Sequence, residues 1–304
     1  MKVAVIGAGG FVGARVAARL AEDRSIEAIT LLDQAPFAAR DDRRVRSLVG
    51  DFAERSMRGA ALDGADAVIL LAAVLGGAAE ANPKAARRVN VDATLDLFEH
   101  LCERAPATRV VFASTIAVYS KPMPDPVTDA TPLAPVMVYG AQKLMMEVAL
   151  SNFAAKGWLD GVSLRPSGVV ARDGADAALK SAFMSRLFWS VMRGEDMTLP
   201  VAPESRGWMS SVETVARNFI HAAKLPEIGA NRAFTLPALS PTFAEILEAL
   251  RRRFPESRSR VVFAPDPEIV ALFGAYPRLE TTTADSLGFQ CDADVDALVT
   301  NAVS

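Results

Sequence analysis

Short apolar runs alternate with stretches of helical periodicity through the first half of the chain. Continuous apolar runs separated by amphipathic helices are typical of a parallel sheet that is covered on both faces. Crossovers between parallel strands are right-handed almost without exception, so the pattern predicts a doubly wound α/β fold. The predicted strands are 2–6, 28–32, 45–49, 67–72, 109–114 and 161–165, and the predicted helices include 11–22, 83–104 and 139–156.

The alternation loosens after about residue 166. A predicted helix over 176–194 is followed by a strand-like run at 232–236 and a helix at 241–254, in a stretch with many prolines. The sequence contains no internal repeat and no long low-complexity linker. We therefore expect a large domain over 1–168, with 207–230 packing back on it, and a smaller lobe formed by 169–206 and 231–304.

Composition and charge exclude several classes of function. The net charge of −3 and the pI near 5.6 give no electrostatic case for binding nucleic acid or an anionic membrane. Two cysteines cannot form a disulfide framework, and neither of the two histidines has the spacing of a zinc site. The histidines also lack a nearby nucleophile elbow, which argues against a Ser-His-Asp mechanism. We expect no bound metal.

The apolar segments predict neither a membrane span nor a signal peptide. The longest run, 67–79, is too short to cross a bilayer and is expected to be a buried strand that continues into a loop. The apolar start is followed by glycines and an amphipathic stretch, which predicts a strand, a turn and a helix. We therefore expect a cytoplasmic protein.

Three glycines follow the first predicted strand. Gly7, Gly10 and Gly13 lie in VIGAGGFVG, where the turn lets the backbone approach a pyrophosphate and the helix N-terminus offers it free N–H groups. Asp33 closes the second strand 20 residues beyond Gly13, where a carboxylate can accept both ribose hydroxyls of NAD and repel a 2′-phosphate. The sequence therefore predicts NAD binding. Three arginines leave NADP open: Arg40, Arg43 and Arg44.

A tyrosine and a lysine lie four residues apart at the start of a predicted helix. Tyr139 and Lys143, in VYGAQK, would share one helix face. An ammonium close to a phenol favours the phenolate, so Lys143 could lower the pKa of Tyr139 and make it an acid/base near neutral pH. Taken alone, the pair favours a polar stripe on a surface helix over catalysis, because Tyr-x-x-x-Lys often arises by chance.

Several motifs occur in the order of a known family. The chain resembles the extended short-chain dehydrogenases/reductases, which include nucleotide-sugar epimerases and dehydratases, over nearly its whole length. The resemblance implies an NAD-binding, Rossmann-like doubly wound parallel sheet over 1–168 and a smaller C-terminal substrate-binding lobe. It rests on the glycine turn and on GDF (50–52), LLAA (70–73), VNVDAT (89–94), VFASTIAVY (111–119), YGAQK (139–143) and RGWMSSVETVA (206–216).

The resemblance implies three catalytic residues. Tyr139 would exchange a proton with the substrate hydroxyl or carbonyl. Lys143 would hold the nicotinamide ribose and lower the pKa of the tyrosine. Thr115 would hydrogen-bond to the substrate oxygen, although it could instead cap a turn, with Ser114 as its substitute.

Further residues are expected to bind substrate or cofactor. Arg206 and Trp208 would contact the substrate, Arg206 through an anionic group, with a surface salt bridge as its alternative. Asn90 could instead be an ordinary polar residue within a helix. The expected cofactor-binding residues are Gly7, Gly10, Phe11, Val12, Gly13, Asp33, Asp51, Phe52, Leu71, Ala72, Ala73, Asn90, Tyr139, Lys143 and Pro166.

Five segments carry a narrower resemblance: MPDPVTDATPLAP (123–135), YGAQK (139–143), GWLDGVSLRPS (157–167), ESRGWMSS (204–211) and PALSPTFAEILEAL (237–250). They resemble the D-erythronate dehydrogenase branch, which oxidises a four-carbon sugar acid with NAD. The chain departs from that branch in two places. It reads VLGGAAE (74–80), with Gly76, where the branch tends to have a serine and an acidic residue, and Trp189 in RLFWSVMRG (186–194) stands where a basic side chain is expected. These departures bear on the substrate rather than on the cofactor or the reaction type.

Three functions remain open. The first is a dehydrogenase of a small hydroxy acid, in which NAD enters and NADH leaves at each turnover. The second is a nucleotide-sugar epimerase or dehydratase that holds NAD tightly, and the compact C-terminal lobe favours the first over it. The third is a dinucleotide sensor without catalysis, which has no need of an intact threonine, tyrosine and lysine.

The resemblance also implies a homodimer. Family members often pair through two helices, which correspond here to 83–104 and 139–156. The apolar stretch LMMEVALSNFAA (144–155) fits such an interface, and it fits a face buried against the sheet equally well.

Overall fold

The computed structural model describes residues 1–38, 40–105, 107–174 and 180–303. The chain divides into two units that are interleaved along the sequence. The first unit consists of Met1–Tyr119, Leu133–Arg165 and Ala216–Thr235, and the second of Ser120–Pro132, Pro166–Val215 and Leu236–Ser304. Within the described ranges, no helix is both long enough and apolar enough to pass through a membrane.

The strands of the described residues are named in chain order. They are β1 (Lys2–Ile6), β2 (Ala28–Asp33), β3 (Val45–Val49), β4 (Ala67–Leu70), β5 (Arg109–Ala113), β6 (Asp160–Arg165), β7 (Gly168–Val169), β8 (Met197–Leu199), β9 (Met209–Ser210), β10 (Ala233–Thr235) and β11 (Val261–Phe263).

The α-helices are named in the same way. They are α1 (Phe11–Glu22), α2 (Arg55–Leu62), α3 (Gly76–Ala81), α4 (Pro83–Arg87), α5 (Thr94–Arg104), α6 (Val138–Ala155), α7 (Ala182–Arg193), α8 (Val212–Lys224), α9 (Phe243–Arg253), α10 (Pro267–Ile269), α11 (Thr282–Ser286) and α12 (Val295–Ala302). A 3₁₀ turn covers Ile116–Val118, and π-helical segments cover Arg88–Ala93 and Val270–Gly274.

Seven parallel strands form the sheet of the first unit, in the order β10-β6-β5-β4-β1-β2-β3. The order reverses direction at β1, as it does in doubly wound nucleotide-binding folds. The prediction of a Rossmann-like α/β sheet is confirmed. The carboxyl ends of β1, β2, β4 and β5 meet at one edge, and the loops that follow them carry most of the predicted site.

The strand sequences explain the burial of the sheet. Every residue of β4, and every residue of β1 after Lys2, is buried. Such strands read as continuous apolar runs because helices cover both faces of a parallel sheet. On α1, one face that includes Val16 and Leu20 is fully buried. The apolar core on the α5 and α6 side of the sheet includes Phe98, Phe112 and Leu150.

One strand lies outside its predicted region. Residues 231–304 were expected in the smaller lobe, whereas β10 pairs in parallel with β6 in the large sheet. β10 has only three residues, Ala-Phe-Thr, and so short a run carries no signal of its pairing partner. The first four residues of the predicted helix over 176–194 lie outside the described residues. The rest of the predicted range contains α7.

The second unit has its own core. β8 pairs with β11 and β7 pairs with β9, each as a two-stranded sheet. α7, α9 and α12 supply most of the core, including Phe188, Phe243 and Leu298. Thr242 begins α9 with a capping box, in which its hydroxyl accepts from the backbone N–H of Glu245 and the Glu245 carboxylate accepts from the backbone N–H of Thr242.

Candidate active site

The glycine turn joins β1 to α1, and its shape requires glycine. Gly7 has φ +90°, and a Cβ there would lie 2.6 Å from the backbone nitrogen of Ala72. A Cβ on Gly13 would lie 2.0 Å from the carbonyl oxygen of Gly7. Gly10 is the residue before α1, and Phe11 and Val12 open the helix. Helix and strand therefore pack too closely for side chains, and the first-turn N–H groups lie beside the turn.

Asp33 lies directly beside this turn. At the end of β2, its Oδ2 accepts from the backbone N–H of Gly9 at 2.9 Å and its Oδ1 from that of Ala35 at 3.2 Å. Two of the neighbouring arginines are engaged with the protein. Arg40 donates to the carbonyl of Ala14 at 2.9 Å, and Arg44 binds Asp42 and backbone carbonyls around the end of α1.

The loops after β3 and β4 place the next predicted residues. Asp51 caps a turn by accepting from the N–H of Ala53 at 2.9 Å, and Phe52 is buried in the core. Leu71 and Ala72 both donate their N–H groups to the carbonyl of Ile6, at 2.8 and 3.0 Å. This pairing holds the strand end of Leu71, Ala72 and Ala73 against the glycine turn.

Asn90 holds the loop after β4 in place. It lies in the π-helical segment between α4 and α5 and is 1% exposed. Its Nδ2 donates to the carbonyl of Val74 at 2.9 Å and to Gln142 Oε1 at 2.8 Å, while its Oδ1 accepts from the N–H of Val74 at 2.8 Å. Asn90 therefore connects this loop to α6, and π segments of this kind often occur at functional sites.

Tyr139 and Lys143 occupy the first turns of α6. Tyr139 is half-buried, whereas Lys143 is 1% exposed, with its Nζ 4.5 Å from the ring centroid of Phe112 and 5.8 Å from that of Tyr139. Among the described residues, the Lys143 ammonium has no hydrogen-bond partner. Burial lowers the pKa of Lys143 to about 7, and the charge of Glu147 opposes that shift.

Thr115 follows β5 and begins the 3₁₀ turn. Its Oγ1 accepts from the N–H of Ala117 at 3.1 Å, so the hydroxyl caps the turn and retains its own proton for donation. Ser114 is buried, and its Oγ has no hydrogen-bond partner within the described residues. A Cβ on Gly140 would lie 2.1 Å from the carbonyl oxygen of Ala117, so α6 touches this turn.

The remaining predicted residues lie in the second unit. Pro166 is its first residue after β6. Arg206 is half-exposed, donates to the carbonyl of Ser240 at 2.7 Å and lies 3.8 Å from a carboxylate oxygen of Glu245. Trp208 is buried and donates its indole N–H to the carbonyl of Pro277 at 2.7 Å.

The two positions that depart from the D-erythronate dehydrogenase branch are Trp189 and Gly76. Trp189 donates its indole N–H to the carbonyl of Ala171 at 3.0 Å, and the Arg193 guanidinium lies 5.0 Å from the indole centroid. A Cβ on Gly76 would meet Met137 Cε at 3.6 Å, an ordinary contact, so this position has room for a side chain.

Comparison with known proteins agrees with this geometry. Residues 3–233 match the model of the NAD-dependent epimerase/dehydratase family. A D-erythronate dehydrogenase from Cupriavidus necator is 34% identical over 313 residues, covering 98% of this chain and 97% of that protein. The chain belongs to the NAD-dependent epimerase/dehydratase family.

Two further relatives extend the match. A D-erythronate dehydrogenase from Haemophilus influenzae is 31% identical over 307 residues, with 98% of each chain covered. The structure of a nucleoside-diphosphate-sugar epimerase from Agrobacterium tumefaciens superposes with a TM-score of 0.88 at 29% identity, covering 98% of this chain and 92% of that one. The predicted membership of this enzyme class, and the resemblance to D-erythronate dehydrogenases, are confirmed.

Three side chains on this side of α6 are not among the residues predicted from the sequence: Phe112, Glu147 and Arg165. Phe112 lies under the ammonium, and Glu147 pairs with Arg165 on the same buried face. Two signals were available in the sequence. Glu147 follows Lys143 by four residues in an otherwise apolar helix stretch, and Arg165 ends an apolar strand.

Proposed function

We propose that this family member is an NAD-dependent dehydrogenase that oxidises a hydroxyl of a small sugar acid of the D-erythronate type to the keto acid. The observation that carries the proposal is the near full-length similarity to two D-erythronate dehydrogenases. The placement of Tyr139, Lys143 and Thr115 around one turn of the first unit supports it.

The residues of the first unit fit a dinucleotide. The glycine turn leaves a space that a Cβ on Gly7 or Gly13 would fill, and the ammonium of Lys143, a residue that is 1% exposed, lies 4.5 Å from the Phe112 ring centroid. The turn and the start of α1 would hold the pyrophosphate, and Asp33 the adenine ribose. Asp51, Phe52, Leu71, Ala72, Ala73 and Asn90 would complete the site in this unit, and the cofactor contact of Pro166, which belongs to the second unit, stays a prediction. When bound, NAD⁺ supplies the hydride acceptor.

NAD is favoured over NADP by the charges beside the turn. The half-buried Asp33 carboxylate would lie near a 2′-phosphate and repel it. Arg40 is held by a backbone carbonyl, and Arg44 by backbone carbonyls and Asp42.

The protein residues would divide the proton chemistry among them. Tyr139 would take the proton of the substrate hydroxyl as general base. Lys143, held against Phe112, would stabilise the phenolate of Tyr139 by its positive charge and donate to the nicotinamide ribose. Thr115 would donate its hydroxyl proton to the substrate oxygen and orient it, because the N–H of Ala117 fixes its oxygen.

On the substrate side, we propose that Arg206 binds the carboxylate of the sugar acid. Its contact with Ser240 uses one of five N–H donors, and the half-exposed guanidinium retains others. Trp208 would contribute shape rather than a hydrogen bond, because its indole N–H is held by Pro277.

A second candidate is a nucleotide-sugar epimerase or dehydratase with tightly bound NAD. The structural similarity to the nucleoside-diphosphate-sugar epimerase favours it. The two reactions differ in the net reduction of NAD⁺. An epimerase returns the hydride to its substrate and forms no net NADH.

The test is absorbance at 340 nm with purified protein, NAD⁺ or NADP⁺, and a panel of four- to six-carbon aldonic acids. Formation of NADH with one acid, lost in Tyr139→Phe, would support the dehydrogenase and identify its substrate. A flat trace across the panel would exclude it. Release of NAD on denaturation, together with epimerisation of a nucleotide sugar, would then establish the second candidate.

We also propose a homodimer through α6 and the 83–104 helical segment. Met145 and Val148 on α6 are 52% and 62% exposed, which leaves an apolar face on the surface of the first unit. Light scattering should give twice the monomer mass, and Val148→Glu should give the monomer. A monomeric wild type would exclude the proposal.

A further inference from the structure

Glu147 and Arg165 form a buried ion pair on the lysine-bearing face of α6. Glu147 follows Lys143 by one helical turn, so the two side chains lie on the same face. Arg165 Nε lies 2.9 Å from Glu147 Oε1, and Arg165 Nη2 lies 2.6 Å from Oε2, which makes the pair bidentate. Glu147 is 2% exposed and Arg165 is 8% exposed.

Fold stability does not account for this pair. Removing two charges from water costs about as much as their attraction returns, and buried pairs replaced by apolar residues often leave a protein equally stable. On this face of β6, Leu150 of α6 packs against Gly161, and the ring centroid of Tyr119 lies 6.0 Å from the Arg165 guanidinium. The feature that distinguishes this location is the buried ammonium of Lys143.

The charges around Lys143 come from several elements. Its own helix contributes Tyr139 and Glu147, and β6 contributes Arg165. Tyr119, in the segment after β5, hydrogen-bonds to Thr235 at 2.7 Å, and its ring centroid lies 6.0 Å from the Arg165 guanidinium. The exposed Glu80 of α3 accepts from the N–H of Val138 at the start of α6. The Phe112 ring of β5, which carries no charge, has its centroid 4.5 Å from Lys143 Nζ.

We propose that the Glu147–Arg165 pair is a positioning element that keeps Lys143 protonated beside Tyr139. Burial alone favours the neutral amine, since it lowers the pKa of Lys143 to about 7, and Glu147 supplies the opposing negative charge. Arg165 in turn supplies the positive charge that compensates the buried Glu147 carboxylate. Arg165 also holds the carboxylate by two of its N–H groups, which fixes the position of the carboxylate on the α6 face that carries Lys143.

The consequence for catalysis rests on the proposed function. The protonation of Lys143 does not, because it can be measured whatever the protein catalyses. A neutral Lys143 would no longer stabilise the phenolate of Tyr139. The pH above which turnover falls would therefore be set by Lys143, and the ion pair would raise that pH.

The experiment titrates Lys143 directly in the protein without cofactor. Lysine labelled with ¹³C at Cε is followed by NMR against pH, and Lys143→Arg assigns its signal. Glu147→Gln removes the anion and leaves Arg165 unpaired, so the pKa of Lys143 should fall by about one unit or more. The double variant Glu147→Met/Arg165→Met removes both charges and leaves neither residue as an unpaired ion. In it, the pKa of Lys143 should fall by about half a unit.

The matched control is Asp160→Asn, which disrupts the ion pair of Arg109 and Asp160. These residues begin β5 and β6, whereas Arg165 ends β6. It should leave the titration of Lys143 unchanged. The proposal is overturned if the double variant leaves the pKa of Lys143 at its wild-type value, or if Asp160→Asn lowers it equally. The double variant decides the question even where Glu147→Gln does not fold.

Activity separates this inference from the proposed function. In an active enzyme, the fall of kcat/KM at high pH should move to lower pH in the same order as the NMR titrations. A shifted Lys143 titration in a protein that oxidises no sugar acid would keep the inference and exclude the proposed dehydrogenase. An unshifted titration of Lys143 in an active dehydrogenase would keep the proposed function and exclude the inference.

Discussion

Replacement of Gly140 by alanine is expected to damage the site while improving the intrinsic helix propensity of α6. A Cβ at Gly140 would lie 2.1 Å from the carbonyl oxygen of Ala117 and 3.1 Å from Pro135 Cβ. The first distance is 1.3 Å short of the 3.4 Å at which ordinary contact begins, and the obstacle is backbone. The start of α6 must therefore move away from the turn that follows Thr115.

That movement can be converted into an expected loss of activity. Tyr139 and Lys143 flank Gly140 on α6, whereas Thr115 is fixed to the N–H of Ala117. A shift of about 1 Å between Tyr139 and Thr115 would cost about a hundredfold in kcat. Overpacking costs about 1–3 kcal/mol and alanine returns about 1 kcal/mol of helix propensity, so the free energy of unfolding should fall by about 1 kcal/mol.

The assays are thermal unfolding and NADH formation at 340 nm with the acid identified from the panel. Gly59→Ala is the matched control, because Gly59 lies within α2 and its Cβ would meet only His100 Cε1 at 4.0 Å. That variant should gain about 0.5–1 kcal/mol and keep full activity. A Gly140→Ala enzyme as stable and as active as Gly59→Ala would refute the steric reasoning.

Three further predictions concern the same unit. Asp33→Asn should lower the ratio of kcat/KM with NAD to kcat/KM with NADP by about tenfold, whereas Asp23→Asn, which removes the Lys224 partner, should not. Because the pKa of Lys143 falls from 10.5 to about 7 on folding, the unfolded chain binds more protons between those values, so stability contributed by this group rises with pH. The stability advantage of Lys143→Met over the wild type in urea unfolding should therefore shrink by about 2 kcal/mol from pH 7 to pH 9, and a constant difference would contradict this. Asn90→Ala should cost about 2 kcal/mol and weaken NAD binding in calorimetry by freeing the Val74 loop, with the exposed Asn152→Ala as its unaffected control.

The periodic elements of the first unit were predictable from the sequence. The first six strands of the sheet and helices α1 and α6 lie within one or two residues of their predicted positions, because buried strands and amphipathic helices have distinct periods. The glycine turn and Asp33 were also predictable, since strand, turn and helix fix their mutual geometry locally.

Long-range pairing could not be predicted in the same way. The partner of β10 is set by tertiary packing, and three residues carry no register. The contacts of Asn90 with Val74 and Gln142 join residues far apart in the chain, and the ion pair of Glu147 with Arg165 joins a helix to a strand. Their residue types are visible in the sequence, but their partners are not.

The interleaved chain path has a consequence for synthesis. β1 to β6 can pair once Arg165 has left the ribosome, but the outer edge of β6 then remains open until Ala233–Thr235 emerges and β10 closes it. An open edge of parallel sheet is a template for pairing with another chain. Translation products that end between residues 165 and 233 would thus present this edge permanently, and we expect them to aggregate or to be degraded rather than to persist as a smaller nucleotide-binding protein.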